Sequence, residues 1–275
     1  MNHLYNVLNV LINFGMRNWI SNILQLYRIS VSNKKLNSNG NMKSNFIFKC
    51  FVMCALFFSG LQIKAQDWPN LDRFHKDNEA LGIPSKGENR VVFMGNSITQ
   101  GWIEARPEFF ANRPYINRGI GGQTTPQMLI RFRQDVIALQ PKVVVILAGT
   151  NDIAGNTGPS TLEMIENNLA SMAELANANG IHVVLSSVLP VFDYPWKPGL
   201  KPADKIVTLN NWIKQYCEKN GFIYLDYFSS MADERNGMKA SLTKDGVHAN
   251  LEGYKVMEPL VEAAIQKAIH QKLKH

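Results

Sequence analysis

Short runs of apolar and β-branched residues alternate with helical patterns from residue 90 onward, and this alternation constrains the fold more than any other feature. The runs are too uniformly apolar to keep one face in water, which is typical of parallel strands covered by helices on both sides. The alternation predicts βαβ units in a single α/β domain rather than a β-sandwich. The predicted strands are 91–94, 115–117, 143–147, 183–186 and 222–225, and the predicted helices are 125–139, 160–179, 203–220 and 251–272.

Polar segments follow the first three predicted strands, and another precedes the last predicted helix. They are 95–97 (GNS), 121–123 (GGQ), 149–152 (GTND) and 245–248 (DGVH). Ligands of open parallel sheets bind beyond the carboxyl ends of the strands. We therefore expect the functional site at this edge of the sheet.

Ser97, Asp245 and His248 are the three residue types that nucleophilic serine catalysis needs. A serine hydroxyl reacts at neutral pH only when a base accepts its proton and a third group holds that base in one tautomer. Asp245 and His248 are three residues apart on a predicted turn, so the carboxylate can bind one imidazole nitrogen while the other faces Ser97. Alternatively, His248 caps the last helix and Ser97 is only a helix N-cap. No histidine pair has metal-ligand spacing, and we expect neither a metal nor a cofactor.

Three candidate donors for an oxyanion hole come from neighbouring strand ends: the backbone N–H groups of Ser97 and Gly122, and the side-chain amide of Asn151. Acyl transfer needs such donors, aimed at the oxygen that becomes negative. Taken singly, Gly122 is equally a turn glycine and Asn151 a turn former. Their occurrence together, in this order along the chain, favours the catalytic interpretation.

The four motifs resemble those of the GDSL/SGNH hydrolase family, and within it the carbohydrate acetylesterases and the platelet-activating-factor acetylhydrolase-like group. The matching segments are 92–99, 117–125, 149–152 and 245–248, within about residues 90–260. The resemblance implies a flavodoxin-like α/β three-layer sandwich, with a five-stranded parallel sheet in the order 2-1-3-4-5 and helices on both faces. It also implies metal-free ester hydrolysis by a Ser97, His248 and Asp245 triad, with Ser97, Gly122 and Asn151 forming the oxyanion hole.

Two details of the nucleophile motif bear on this resemblance. Asn96 stands where the family motif has Asp, which puts the hydrogen bonding of this loop in question rather than the chemistry. The G-x-S-x-G elbow of α/β-hydrolases is absent, because Thr99 occupies its fifth position. The sequence therefore argues against that competing hydrolase fold.

The net charge of +7 belongs to the N-terminal segment. Residues 1–65 contain seven basic and no acidic residues, which leaves 22 of each in the rest of the chain. A formally neutral domain lacks the broad basic surface of nucleic-acid-binding proteins. We therefore expect no nucleic-acid partner.

Residues 42–65 have the layout of a signal peptide: Lys43 and Lys49, an apolar run at 50–61, and Ala65 before the expected cleavage site. That run is short for a membrane span, so we expect no stable membrane insertion of the mature domain; a retained signal anchor is the alternative. Residues 66–275 are then an exported hydrolase domain, periplasmic or secreted. We interpret residues 1–41 as a disordered extension or translated upstream sequence.

Residues 190–202 combine prolines with aromatic rings, and such rings suit sugars. We expect Trp102 and Trp196 to contact substrate; alternatively, the aromatic rings only pack their own segments against the domain. Export and the family resemblance favour a small-molecule or glycan ester, above all O-acetyl groups on carbohydrates. The alternatives are a lysophospholipase or thioesterase, and a glycan-binding module on the same fold without turnover.

Overall fold

The central sheet has five parallel strands in the order β2-β1-β3-β4-β5 in the computed structural model, which describes residues 66–272. The predicted α/β fold, strand order and parallel pairing are confirmed. The predicted N-terminal extension and signal peptide lie outside the described residues. The strands are β1 Val91–Gly95, β2 Tyr115–Gly119, β3 Val143–Leu147, β4 His182–Ser186 and β5 Ile223–Leu225.

One α-helix precedes the first strand, and the others connect the strands or follow the last of them. The α-helices are α1 His75–Leu81, α2 Ser97–Ala105, α3 Pro107–Phe110, α4 Thr125–Asp135, α5 Thr150–Ile153, α6 Leu162–Ala178, α7 Ala203–Asn220, α8 Phe228–Met231 and α9 Leu251–His270. Short 3-10 helices cover Leu71–Phe74, Ile137–Leu139 and Ala240–Leu242. Within residues 66–272, no helix combines the length and the apolar character needed to cross a membrane.

Two hydrophobic cores lie on opposite faces of the sheet, which gives the three layers. Successive strand residues alternate between them: Val92 and Met94 pack with α4, α6 and α7, whereas Val91 and Phe93 pack with α2, α3 and α9. This period of two follows from strand geometry. Since both faces are covered, all five residues of β1 are buried.

Two predicted boundaries differ from the structure for local reasons. The helix predicted at 125–139 ends at Asp135, because Val136 leaves helical dihedral angles, and a 3-10 turn follows. The helix predicted from 160 begins at Leu162, because the Thr161 side chain caps its first turn. Such ends depend on capping and backbone geometry that apolar periodicity does not reveal.

Gly95 and Gly119 allow α2 to pack closely against the ends of β1 and β2. A Cβ on Gly119 would lie 2.2 Å from the backbone nitrogen of Gln100, and one on Gly95 would lie 2.0 Å from Thr99 Oγ1. Real Cβ atoms do not approach other atoms so closely, so larger residues would push the helix away. Because α2 begins at Ser97, the two glycines set the distance between that serine and the sheet.

We expect Gly119→Ala to lower the free energy of unfolding by about 1–3 kcal/mol, since the new methyl group overpacks a backbone contact. Gly121→Ala is the matched control: its Cβ would meet Gln100 Oε1 at 3.4 Å on an exposed loop. Its effect should stay within about 0.5 kcal/mol. Urea unfolding measures both, and equal effects would contradict the close-approach explanation.

Candidate active site

Ser97 is the first residue of α2, directly after the carboxyl end of β1. Asn96 caps the helix, since its Oδ1 accepts a hydrogen bond from the Ile98 backbone nitrogen at 3.1 Å. The side-chain oxygen of Asn can therefore cap this helix in place of the Asp of the family motif.

His248 and Asp245 lie on a turn before α9, and the turn is held by its own side chains. Asp245 Oδ1 accepts hydrogen bonds from the backbone nitrogens of Val247 (3.0 Å) and His248 (2.8 Å). Thr243 Oγ1 donates to the His248 carbonyl oxygen at 2.8 Å and accepts from the Gly246 nitrogen at 2.9 Å. These bonds fix the backbone on both sides of the imidazole.

The three predicted catalytic side chains form one hydrogen-bonded series. Ser97 Oγ lies 3.0 Å from His248 Nε2, and His248 Nδ1 lies 2.7 Å from Asp245 Oδ2. Burial raises the pKa of Asp245, but hydrogen bonds from His248 and Val247 outweigh it and hold the pKa below its usual value. The carboxylate is thus ionised at neutral pH and accepts the Nδ1 hydrogen, which leaves Nε2 free to accept from the Ser97 hydroxyl.

The glycine loop after β2 lies beside Ser97. A Cβ on Gly121 would be 3.8 Å from the Ser97 Cβ, and the Gly121 nitrogen donates to Gln100 Oε1 at 2.8 Å. Gly122 follows with a φ of +77°, a backbone conformation that favours glycine. The loop is therefore close enough to Ser97 to contribute a backbone donor beside it.

Asn151 lies in α5, at the carboxyl end of β3, and its side chain is buried. Its Nδ2 donates to the Gln123 carbonyl oxygen at 2.9 Å, which joins it to the glycine loop. An amide nitrogen carries two hydrogens, so one remains to serve as an oxyanion donor. The structure thus connects both predicted donor loops to each other.

A buried arginine, which sequence reasoning missed, ties these loops to the sheet. Arg131 in α4 donates to Gln123 Oε1 (2.6 Å), to the Gly95 carbonyl (3.2 Å) and to the Arg118 carbonyl (2.8 Å). It also pairs with Asp135 at 3.0 Å, with both side chains fully buried. One guanidinium therefore fixes the carboxyl end of β1 and the segment that holds Asn151.

Asp152 is a second missed residue, and it joins α5 to the start of α4. Its carboxylate accepts hydrogen bonds from the Thr125 nitrogen (2.9 Å) and from Thr125 Oγ1 (2.6 Å). Burial raises its pKa to about 6, against the lowering effect of these hydrogen bonds. The one sequence signal for Asp152 is its position directly after Asn151, which could have indicated that it holds the Asn151 segment in place.

The prediction that Trp102 contacts substrate is wrong. Its side chain is only 1% exposed and is stacked between Phe109 and Tyr254, with ring centroids 5.1 and 5.5 Å away. Trp102 belongs to the core between α2, α3 and α9. Substrate cannot reach it without unpacking those helices.

Trp196, by contrast, lies at the surface next to the histidine. Its ring centroid is 6.1 Å from that of His248, and the side chain remains 45% exposed. Within residues 66–272, no group of three or more His, Cys, Asp or Glu side chains is arranged to hold a metal ion.

The family model of GDSL-like lipases and acylhydrolases matches residues 93–256, which contain all of these groups. The chain belongs to this family. It is 49% identical to a GDSL-like lipase from Bacteroides thetaiotaomicron, with a TM-score of 0.71 over 73% of this chain and 98% of that one. The recognition from sequence and the assignment to acylhydrolases and esterases are confirmed.

Two curated relatives are more distant. The chain is 30% identical to the uncharacterized lipoprotein YqeF of Bacillus subtilis over 129 residues, covering 41% of this chain and 53% of YqeF. It is 26% identical to the acetylxylan esterase of Xylanibacter ruminicola over 225 residues, covering 68% of this chain and 45% of that protein. The chain thus spans about half the length of each of these two relatives.

We expect Arg131→Met to lower the free energy of unfolding by about 3–5 kcal/mol, because it leaves the Asp135 carboxylate buried without its partner. Arg133→Met is the control, since Arg133 is exposed on the same helix, and it should change stability by about 0.5 kcal/mol or less. Urea unfolding measures the free energy of unfolding of the wild type and both variants. Similar small effects would show that the buried network does not stabilise the loops.

Proposed function

We propose that this protein is a serine esterase that hydrolyses short acyl esters, with Ser97 as nucleophile and His248 and Asp245 completing the triad. The observation that best supports this proposal is the hydrogen-bonded series of the three side chains. Ser97 Oγ lies 3.0 Å from His248 Nε2, and His248 Nδ1 lies 2.7 Å from Asp245 Oδ2. Family membership supports the same chemistry.

In the proposed mechanism, Ser97 Oγ attacks the ester carbonyl carbon while His248 Nε2 takes the hydroxyl proton. Asp245 stabilises the resulting imidazolium. The tetrahedral intermediate collapses, the bond to the alcohol oxygen breaks, and Nε2 returns the proton to that oxygen. Water, activated by the same imidazole, then attacks the acyl-enzyme and releases the acid and free Ser97.

The negative oxygen of each tetrahedral intermediate is assigned to the backbone N–H groups of Ser97 and Gly122 and to the Asn151 amide. Support comes from the position of the glycine loop beside Ser97 and from the hydrogen bond that holds Asn151 against that loop. Donors fixed before the reaction act strongly, because they need not reorganise as charge develops.

O-acetyl groups on carbohydrates are the proposed substrates. The name of the acetylxylan esterase relative supports this class, and so does the exposed Trp196 ring beside His248. We also propose that the protein is exported, since residues 42–65 have a signal-peptide layout and one relative is described as a lipoprotein. Neither proposal requires a cofactor.

Ser97→Ala should lower the rate of acetate release from acetylated xylan by about 10³-fold or more, because no other group supplies the nucleophile. Ser229→Ala, at an exposed serine whose hydroxyl donates to Asp226 at 2.6 Å and has no role in the proposed mechanism, should retain wild-type turnover. Acetate release from a panel of acetylated polysaccharides measures both. Undiminished release by the Ser97 variant would contradict the assignment of the nucleophile.

Asn151→Ala should lower kcat by about 10²–10³-fold with little change in KM, since the lost donor acts mainly on the transition state. Asn179→Ala is the control: Asn179 is exposed at the C-terminal end of α6, and its side chain donates to the Leu175 carbonyl at 2.7 Å. Its kcat should stay close to that of the wild type. Steady-state kinetics on an acetyl ester measures kcat and KM of both variants. A change confined to KM in Asn151→Ala would contradict the assignment of Asn151 to the oxyanion hole.

A further inference from the structure

The exposed ring of Trp196 lies at the tip of a tight turn beside the proposed general base. Residues 194–197 form a β-turn in which the Lys197 nitrogen donates to the Tyr194 carbonyl at 3.0 Å. Pro195 occupies the second position, where its fixed φ favours the turn. Trp196 packs against Tyr194 at 5.1 Å and faces His248 at 6.1 Å.

Two side chains of this turn fasten it to the loop that carries Asn151. The buried Tyr194 hydroxyl donates to the Thr150 carbonyl at 2.9 Å, and its oxygen also lies 2.9 Å from Thr150 Oγ1. Lys197 Nζ donates to the Ala154 carbonyl at 2.8 Å. The position of Trp196 is therefore fixed relative to the catalytic loops.

Asp193 holds the other side of the same segment. Its carboxylate accepts hydrogen bonds from the backbone nitrogens of Tyr194 (3.0 Å), Gly199 (2.7 Å) and Lys201 (3.2 Å). These bonds close residues 193–201 into a compact loop. A surface aromatic ring on such a loop is preorganised, which reduces the entropy lost when a ligand binds to it.

The position of Trp196 next to His248 determines which part of an ester it meets. In the proposed reaction, the carbonyl oxygen points toward Gly122 and Asn151, whereas the alcohol oxygen must lie next to His248 Nε2 to receive its proton. The group attached to that alcohol oxygen then lies on the His248 side. Trp196 is therefore placed to contact the alcohol rather than the acyl chain.

We propose that Trp196 forms a leaving-group subsite that binds a pyranose ring of the alcohol, an inference that rests on the proposed esterase function. The face of a pyranose presents C–H groups, while its hydroxyls lie around the edge, so that face matches the negative π-face of an indole. A quaternary ammonium is disfavoured because the charged Lys197 is adjacent in the turn, and such ligands are bound by cages of several aromatic rings.

The test compares two acetyl esters that differ in the alcohol: a mono-O-acetyl methyl xylopyranoside and vinyl acetate, whose leaving group has no ring. For Trp196→Ala, the ratio of kcat/KM for the pyranoside to that for vinyl acetate should fall about 5- to 10-fold, mostly through KM. Trp196→Phe should restore part of the ratio. Phe192→Ala is the control: it removes another exposed ring (41%), four residues before Trp196, and it should leave the ratio unchanged.

Three results would overturn the leaving-group subsite and leave the proposed esterase function intact. An unchanged ratio in Trp196→Ala would mean that the ring does not contact the sugar. A change in preference between vinyl acetate and vinyl butyrate would assign the ring to the acyl chain, and a larger loss on acetylcholine than on the pyranoside would assign it to a cation. If the wild-type protein hydrolyses none of these esters, or if Ser97→Ala hydrolyses them equally well, the proposed function itself is overturned. This inference then fails with it.

Discussion

The carboxyl ends of parallel strands lie at one edge of their sheet, and every functional feature of this protein depends on that constraint. Ser97 follows β1, Gly122 follows β2 and Asn151 follows β3, while the turn before α9 brings His248 to the same edge. The hydrogen bond between Ser97 and His248 therefore joins residues 151 positions apart. No local segment of the chain could assemble this geometry alone.

The loops at this edge are held in place by a buried polar network as well as by the sheet. Arg131 reaches Gly95 and Gln123, and the Gln123 carbonyl in turn holds the Asn151 amide. Burying an ion pair is costly, and one that is fully hydrogen-bonded gives geometric precision more readily than stability. In this fold, the network fixes the position of Ser97 relative to the proposed oxyanion donors.

Much of the architecture could be predicted because the strands are buried on both faces and read as continuous apolar runs. The location of the candidate site could be predicted because polar residues follow those runs at the carboxyl edge of the sheet. Trp102 could not be placed in this way: it lies five residues after Ser97, about 140° around the helix, and so faces the core instead of the nucleophile. Arg131 and Asp135 have the spacing of an ordinary surface ion pair, and spacing alone does not reveal burial.

The central claim is that the Ser97 hydroxyl is activated by His248, and covalent labelling tests it most directly. A fluorophosphonate reacts with activated serines and marks the residue that carries the nucleophile. Mass spectrometry of the labelled wild type should locate the phosphonyl group on Ser97, and His248→Ala should label far more slowly. Labelling of a different serine, or equal labelling without the imidazole, would contradict the account.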